Sequence, residues 1–188
     1  MVVTVTGGVF VNNAADFFGG FVFLEEQASL SCAGATVVGN TAGDQGGAIY
    51  AREAKWVNSS CDLNGNVAPV GAAAYLTKIL DAANFENHSI THSLAGGESA
   101  VYVKETSLFA KEVDFQSDAG LQETSTGPAV ELAGATLVAE GCTFRGWAGD
   151  TVILNPDASG SLALDSCDFS QSSAAMVVSS PGSDAEIR

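Results

Sequence analysis

Large apolar residues open a polar turn at Phe10, Val37, Leu63, Phe85, Phe115, Phe144 and Phe169, at intervals of 22 to 30 residues. Another large apolar residue stands seven positions before most of them: Leu30, Trp56, Leu108, Leu137 and Leu162. Ile79 precedes Phe85 by six. After each anchor a polar, Gly-rich turn leads to a third apolar segment, reading FVFL, AIYA, AAYL, VYVK, VELA, VILN and MVVS in turn. Around the anchors apolar and polar positions alternate. Cys142 and Phe144 fall to one side, Thr143 and Arg145 to the other; Val113 and Phe115 alternate with Asp114 and Gln116. Short segments of period two between clusters of Gly, Asn and Asp are strands, not helices.

Three strands recurring every ~25 residues predict an all-β solenoid, a single-stranded parallel β-helix of about seven coils filling residues 1–188 as one domain. One coil cannot bury its inner face alone, so coils stack about 4.8 Å apart and the anchors form an inner ladder. A β-sandwich is the rival fold. It calls for hairpin turns at each strand junction, and two-residue Asn-Gly turns are scarce here.

Residues 37–50, VVGNTAGDQGGAIY, resemble the repeat of polymorphic outer membrane proteins, which joins an F-x-x-N element to G-G-A-(I/L/V). Phe10 to Asn13 fits the first element, and Val37 to Asn40 and Leu63 to Asn66 fit it with an aliphatic lead. Gly46, Gly47, Ala48 and Ile49 carry the second. The C-x-F runs at Cys142 and Cys167 resemble other extracellular parallel β-helix repeats. Elsewhere the pattern departs: His88, Asp118, Trp147 and Ser172 stand where Asn is expected. The resemblance implies a right-handed β-helix, an extracellular or cell-surface setting, and adhesins among its kin.

Charge removes several functions. Seven Lys and Arg face 22 Asp and Glu, for a net charge of −15. Such a chain has no basic patch to release counterions from nucleic acid, and anionic membranes repel it. With 46% apolar residues it is not a disordered chain. No apolar run reaches the ~18 residues of a transmembrane helix. MVVTVTGGVFVNNAA reads as a strand rather than a secretory leader, and both ends suggest a piece of a longer chain.

The residues capable of chemistry are few. Cys61, Cys142 and Cys167 share a register two places before the anchor, and Cys142 and Cys167 fall on consecutive coils within disulfide range. They read as a candidate disulfide or as small buried residues. His88 and His92 lie in NHSITHS, a stretch predicted to be a solvated turn. Asp62, Asn64 and Asn66 open like a calcium loop, but the twelfth position is Ala73 rather than Glu. Asn87 and Asn58 begin glycosylation sequons, and the strand parity of Trp56 predicts that Asn58 points inward. The outward carboxylates Asp62, Asp114 and Asp168 are separated by intervening coils, with Arg145 beside them, and form no opposed pair.

The most informative row is aromatic. The parity of Val130-Glu131-Leu132, carried back coil by coil, places Tyr102, Tyr75, Tyr50 and Phe23 outward. Such a row is either a docking stripe for a protein or carbohydrate partner or a stacking ladder that stiffens the rod. The sequence thus predicts a non-catalytic, surface-exposed or secreted scaffold and binding module, such as an adhesin segment, without cofactor or metal. A polysaccharide-active enzyme fragment (lyase, hydrolase or epimerase) and a structural subunit of a larger assembly are the alternatives.

Overall fold

The computed structural model describes residues 1–92, 99–117, 127–147, 151–154, 160–172, 177–178 and 184–187. Among these every regular element is a strand, and every strand pairing is parallel. The fold is a β-solenoid. A sheet of 13 strands and one of seven enclose the core, and a two-stranded pair joins them near the N-terminus. One coil is typified by Ser107–Lys111, Asp114–Ser117 and Val130–Ala133. In two early coils the first two strands run on as one, Ser29–Val38 and Trp56–Asn66, which merges two faces into the larger sheet.

Each inward position meets its equivalent on the next coil. Phe115, Phe144 and Phe169 stack with centroids 4.8 and 4.6 Å apart and planes within 5°. A second ladder runs Leu30, Val57, Ala83, Leu108, Leu137, Leu162, and a third Ile49, Ala74, Val101, Val130, Val152. The residues of the second and third ladders are all buried, as are Phe115 and Phe144, and Phe169 is half-buried.

Two anchor assignments are corrected. Phe85 does not continue the Leu63 ladder. Ile90 lies opposite both Leu63 and Phe115, while Phe85 sits in the preceding strand between Ser59 and Ala110. Small neighbours above and below leave room for its ring there. Trp56 is likewise not the inward residue of its strand: Val57 is fully buried and pairs with Leu30. The displacement arises because this coil is one residue short: six positions separate Val57 from Leu63 where seven separate Leu30 from Val37, and the register slips between Ala33 and Thr36, opposite Ser60 and Asp62.

The corners explain the repeat residues. At Gly46 φ is +66°, a left-handed conformation that glycine adopts without steric cost. A Cβ on the following Gly47 would overlap the Ala72 carbonyl oxygen and the Val67 backbone, so the second glycine is a spacing requirement between coils.

The asparagine of the F-x-x-N element closes the other side. Asn40 is fully buried. Its Oδ1 accepts from the Asn13 backbone N–H at 3.0 Å and from Asn13 Nδ2 at 2.7 Å. Its Nδ2 donates to Asn66 Oδ1 at 3.0 Å, to the Phe10 carbonyl at 3.1 Å and to that of Val38 at 3.2 Å. Asn66 donates in the same manner to the Val37 carbonyl at 2.9 Å. Where asparagine is lost the bond to the anchor carbonyl survives. Trp147 Nε1 donates to Phe115 O at 3.1 Å, and Ser172 Oγ to Phe144 O at 2.9 Å. The column therefore selects a side-chain donor, not an amide as such. Asp118 lies outside the described residues.

Two stability predictions follow from these columns. Phe144→Ala removes the middle ring of a stack and should cost about 3–5 kcal/mol in chemical denaturation; a midpoint close to the parent's would contradict the ladder. Asn40→Leu leaves the Asn13 N–H without its acceptor and takes a side-chain donor from the Phe10 and Val38 carbonyls, while Asn66 Oδ1 keeps only the Asn40 backbone N–H; a buried group left unpaired costs about 1–3 kcal/mol. It should be among the most damaging polar replacements, read as a lower melting temperature.

Candidate functional site

The outward aromatic row is held by four strands of the seven-stranded sheet: Val22–Leu24, Ile49–Arg52, Ala74–Thr77 and Val101–Lys104. Their register sets Phe23 opposite Tyr50, Tyr50 opposite Tyr75 and Tyr75 opposite Tyr102. Ile49, Ala51, Leu76, Val101 and Val103 fill the core from the same strands, so the rings lie on the outer face. Successive centroids are 5.2, 5.4 and 5.1 Å apart, with planes within 8°. The stack ends at Glu131, opposite Tyr102, whose carboxyl is raised above its usual range by burial.

The four rings are not equally open. Phe23 is 46% exposed but Tyr50 only 3%. Tyr50 is covered from outside, by Phe18, whose ring lies 4.7 Å away at 27°. Phe18 belongs to the loop before Gly19-Gly20 and bridges to Gln45. Strand parity says nothing about such a loop, and its only trace in the sequence is the aromatic pair Phe17-Phe18.

Beside the ladder runs an open groove of about 460 Å³, lined by Phe18, Tyr50 and Tyr75 and by Arg52, Lys78 and Lys104. Three of the chain's seven Lys and Arg thus meet at one face of a molecule of net charge −15. Arg52 is paired with Glu25. Glu105 is shared by two ammonium groups, at 3.7 Å from Lys78 and 3.9 Å from Lys104. Burial, with the neighbouring Tyr102 and Tyr50, pushes the Tyr75 phenol up to about 12. Burial also raises Tyr50 and Tyr102. All three phenols are therefore protonated donors at neutral pH. A second concavity, of about 320 Å³, lies over Asn58 and Asn84, whose carboxamides are joined by a 2.9 Å hydrogen bond.

The carboxylate row is tied down. Asp62 Oδ1 accepts from the Ser89 N–H and hydroxyl, both at 2.9 Å. Asp114 accepts from Thr143 Oγ1 at 2.9 Å and pairs with Arg145 at 3.2 Å. Ser89 and Thr143 occupy the intervening coils, which sets Asp62 and Asp114 about 10 Å apart at two strand spacings. The calcium-like triplet does not converge either: Asn66 is buried in the asparagine column while Asp62 and Asn64 face outward. Among the described residues no group of three His, Cys, Asp or Glu gathers as a metal site.

His88 is not in a solvated turn. Its ring is buried, edge-on to Phe85 with centroids 5.5 Å apart. Nδ1 lies 3.1 Å from the Glu86 carbonyl, and Nε2 has no partner. Once Ile90 is the anchor, His88 falls in the column of Cys61, Val113, Cys142 and Cys167. The His92 side chain lies outside the described residues.

The disulfide is Cys32–Cys61, with Cα atoms 5.7 Å apart. It links the end of one coil's first strand to the corner of the next, a step that a same-register reading does not reach. Cys142 and Cys167, the expected pair, are thiols. Each faces a carbonyl of the preceding coil, Cys142 Sγ 3.5 Å from Ala110 O and Cys167 Sγ 3.6 Å from Ala139 O. A hydrogen bond from Cys142 lowers the Cys167 thiol to about 7. Asn87 is exposed at a left-handed corner with φ of 53°. Asn58 is also exposed, contrary to expectation, because its strand mate Trp56 is not an inward residue.

Set against family models, curated proteins and solved structures, the chain matches none.

The buried imidazole makes stability depend on pH. Burial lowers the His88 pKa below its ordinary value, with the Glu86 hydrogen bond and the Asp62 charge opposing. The unfolded chain therefore binds this proton more readily. Its contribution is complete above the unfolded value of about 6.5 and is lost as pH falls below it. Urea denaturation at neutral and mildly acidic pH should show wild type losing more stability on acidification than His88→Leu. Equal losses would place the pH dependence elsewhere.

Proposed function

We propose that this chain is a non-catalytic scaffold and binding module, acting at the cell surface or in secreted form, that docks a partner along the Phe23–Tyr102 ladder. The observation that carries this reading is the groove in which tyrosine edges meet Arg52, Lys78 and Lys104. Glu53 and Glu105 complete the groove's polar lining, and the outward carboxylates Asp62 and Asp114 are engaged in fastening one coil to the next. The Cys32–Cys61 disulfide supports an oxidising, extracytoplasmic setting. So does the resemblance of the F-x-x-N and G-G-A-I elements to surface-protein repeats.

The rod form suits such a role. In-register strands hold the groove residues on a rigid backbone, so little ordering is left for the partner to drive. Tyr50 is part of the wall, pinned by Phe18, and the edges of Tyr75 and Tyr102 remain for contact.

Binding to arrayed saccharides and arrayed extracellular proteins tests the reading. Retention without turnover is expected. Tyr75→Ser with Tyr102→Ser should weaken it by about 1–3 kcal/mol per contacted ring. The melting temperature should fall less than for Phe144→Ala, since these rings are partly exposed. Retention unchanged by the double substitution would remove the ladder from the binding face.

A further inference from the structure

Resting on the reading of the groove as a binding face, we infer that its ligand is an uncharged, extended oligosaccharide lying along the rod axis, about one sugar per coil.

The ladder rules out one mode of recognition and favours another. Tyr50, Tyr75 and Tyr102 spend their faces on each other, with centroids 5.4 and 5.1 Å apart. With Tyr50 only 3% exposed, a ligand in the groove meets the edge and hydroxyl of Tyr75, not an open ring face. A purely apolar ligand would leave that hydroxyl without water or partner. A polyol satisfies it and covers the ring edge with its C–H surface.

The charges point the same way. Arg52 is neutralised by Glu25, and Lys78 and Lys104 share Glu105. A polyanion would have to draw these cations from their carboxylates while approaching a molecule of charge −15. Sugar hydroxyls donate to Glu105 and accept from either lysine, so no ion pair needs to separate.

Spacing separates a saccharide from a peptide. The polar groups of the groove recur once per coil, Arg52, Thr77 and Lys104 lying opposite one another on successive strands, as Tyr50 lies opposite Tyr75 at 5.4 Å. An extended peptide advances about 3.3–3.4 Å per residue and would drift out of phase. A pyranose ring linked through its opposite ends advances by about one coil.

Isothermal titration of the full chain with cellohexaose, xylohexaose and hexagalacturonate, at low and high salt, tests the inference. At least one neutral hexaose should bind with a Kd that salt leaves unchanged. Tyr75→Ser should weaken it about tenfold. Lys104→Ala, whose side chain is 44% exposed and lies outside the core, should weaken it too while leaving the melting temperature unchanged. Failure of both neutral hexaoses overturns the inference. If hexagalacturonate alone binds, losing affinity at high salt and in Lys104→Ala, the groove stands as a binding face and the uncharged class is wrong. Neutral binding indifferent to both substitutions overturns the groove itself.

Discussion

Parallel stacking in register obliges every side chain to lie against its own counterpart on the next coil, about 4.8 Å away. Each position along the coil must therefore hold residues that tolerate stacking on themselves. Phenylalanines do so face to face at 115, 144 and 169. Asparagines do so through carboxamide bonds donated from 13 to 40 and from 40 to 66. Charges change sign over part of a column: Lys111 lies between Glu86 and Glu140 and pairs with Glu140 at 3.3 Å. One step on, Glu140 faces Asp165, a like-charge contact that both side chains relieve by remaining exposed to solvent.

That constraint made the fold legible. Period-two alternation inside a longer period leaves few architectures, and inward residues such as Leu108, Leu137 and Leu162 are found by spacing alone. A column is fixed by register, not by size. Phe85 is inward, as its size predicts, but in the column of Ala110 rather than of Leu63. Trp56 is displaced because its own coil is one residue short between Val57 and Leu63. His88 joins the cysteine column only because Ile90 takes the anchor position.

The site was legible to the extent that it lies on strands. Phe23, Tyr50, Tyr75 and Tyr102 followed from parity, and the structure stacks them in that order. The parts that make the row a groove come from elsewhere. Phe18 is carried by a loop, and Lys78 sits at a left-handed corner with φ of 52°. Neither position has a periodic signal. The disulfide escaped for a related reason, since Cys32 and Cys61 belong to different columns that approach only across a corner.

The tyrosine ladder also gives the rod an intrinsic optical character. Three phenol rings stacked with nearly parallel planes, each within 5.4 Å of the next, couple their electronic transitions through space. Their near-ultraviolet circular dichroism therefore belongs to the array and not to any one ring. Because no tyrosine lies outside the array, that signal reports the local order of one sheet, distinct from the tryptophans at 56 and 147.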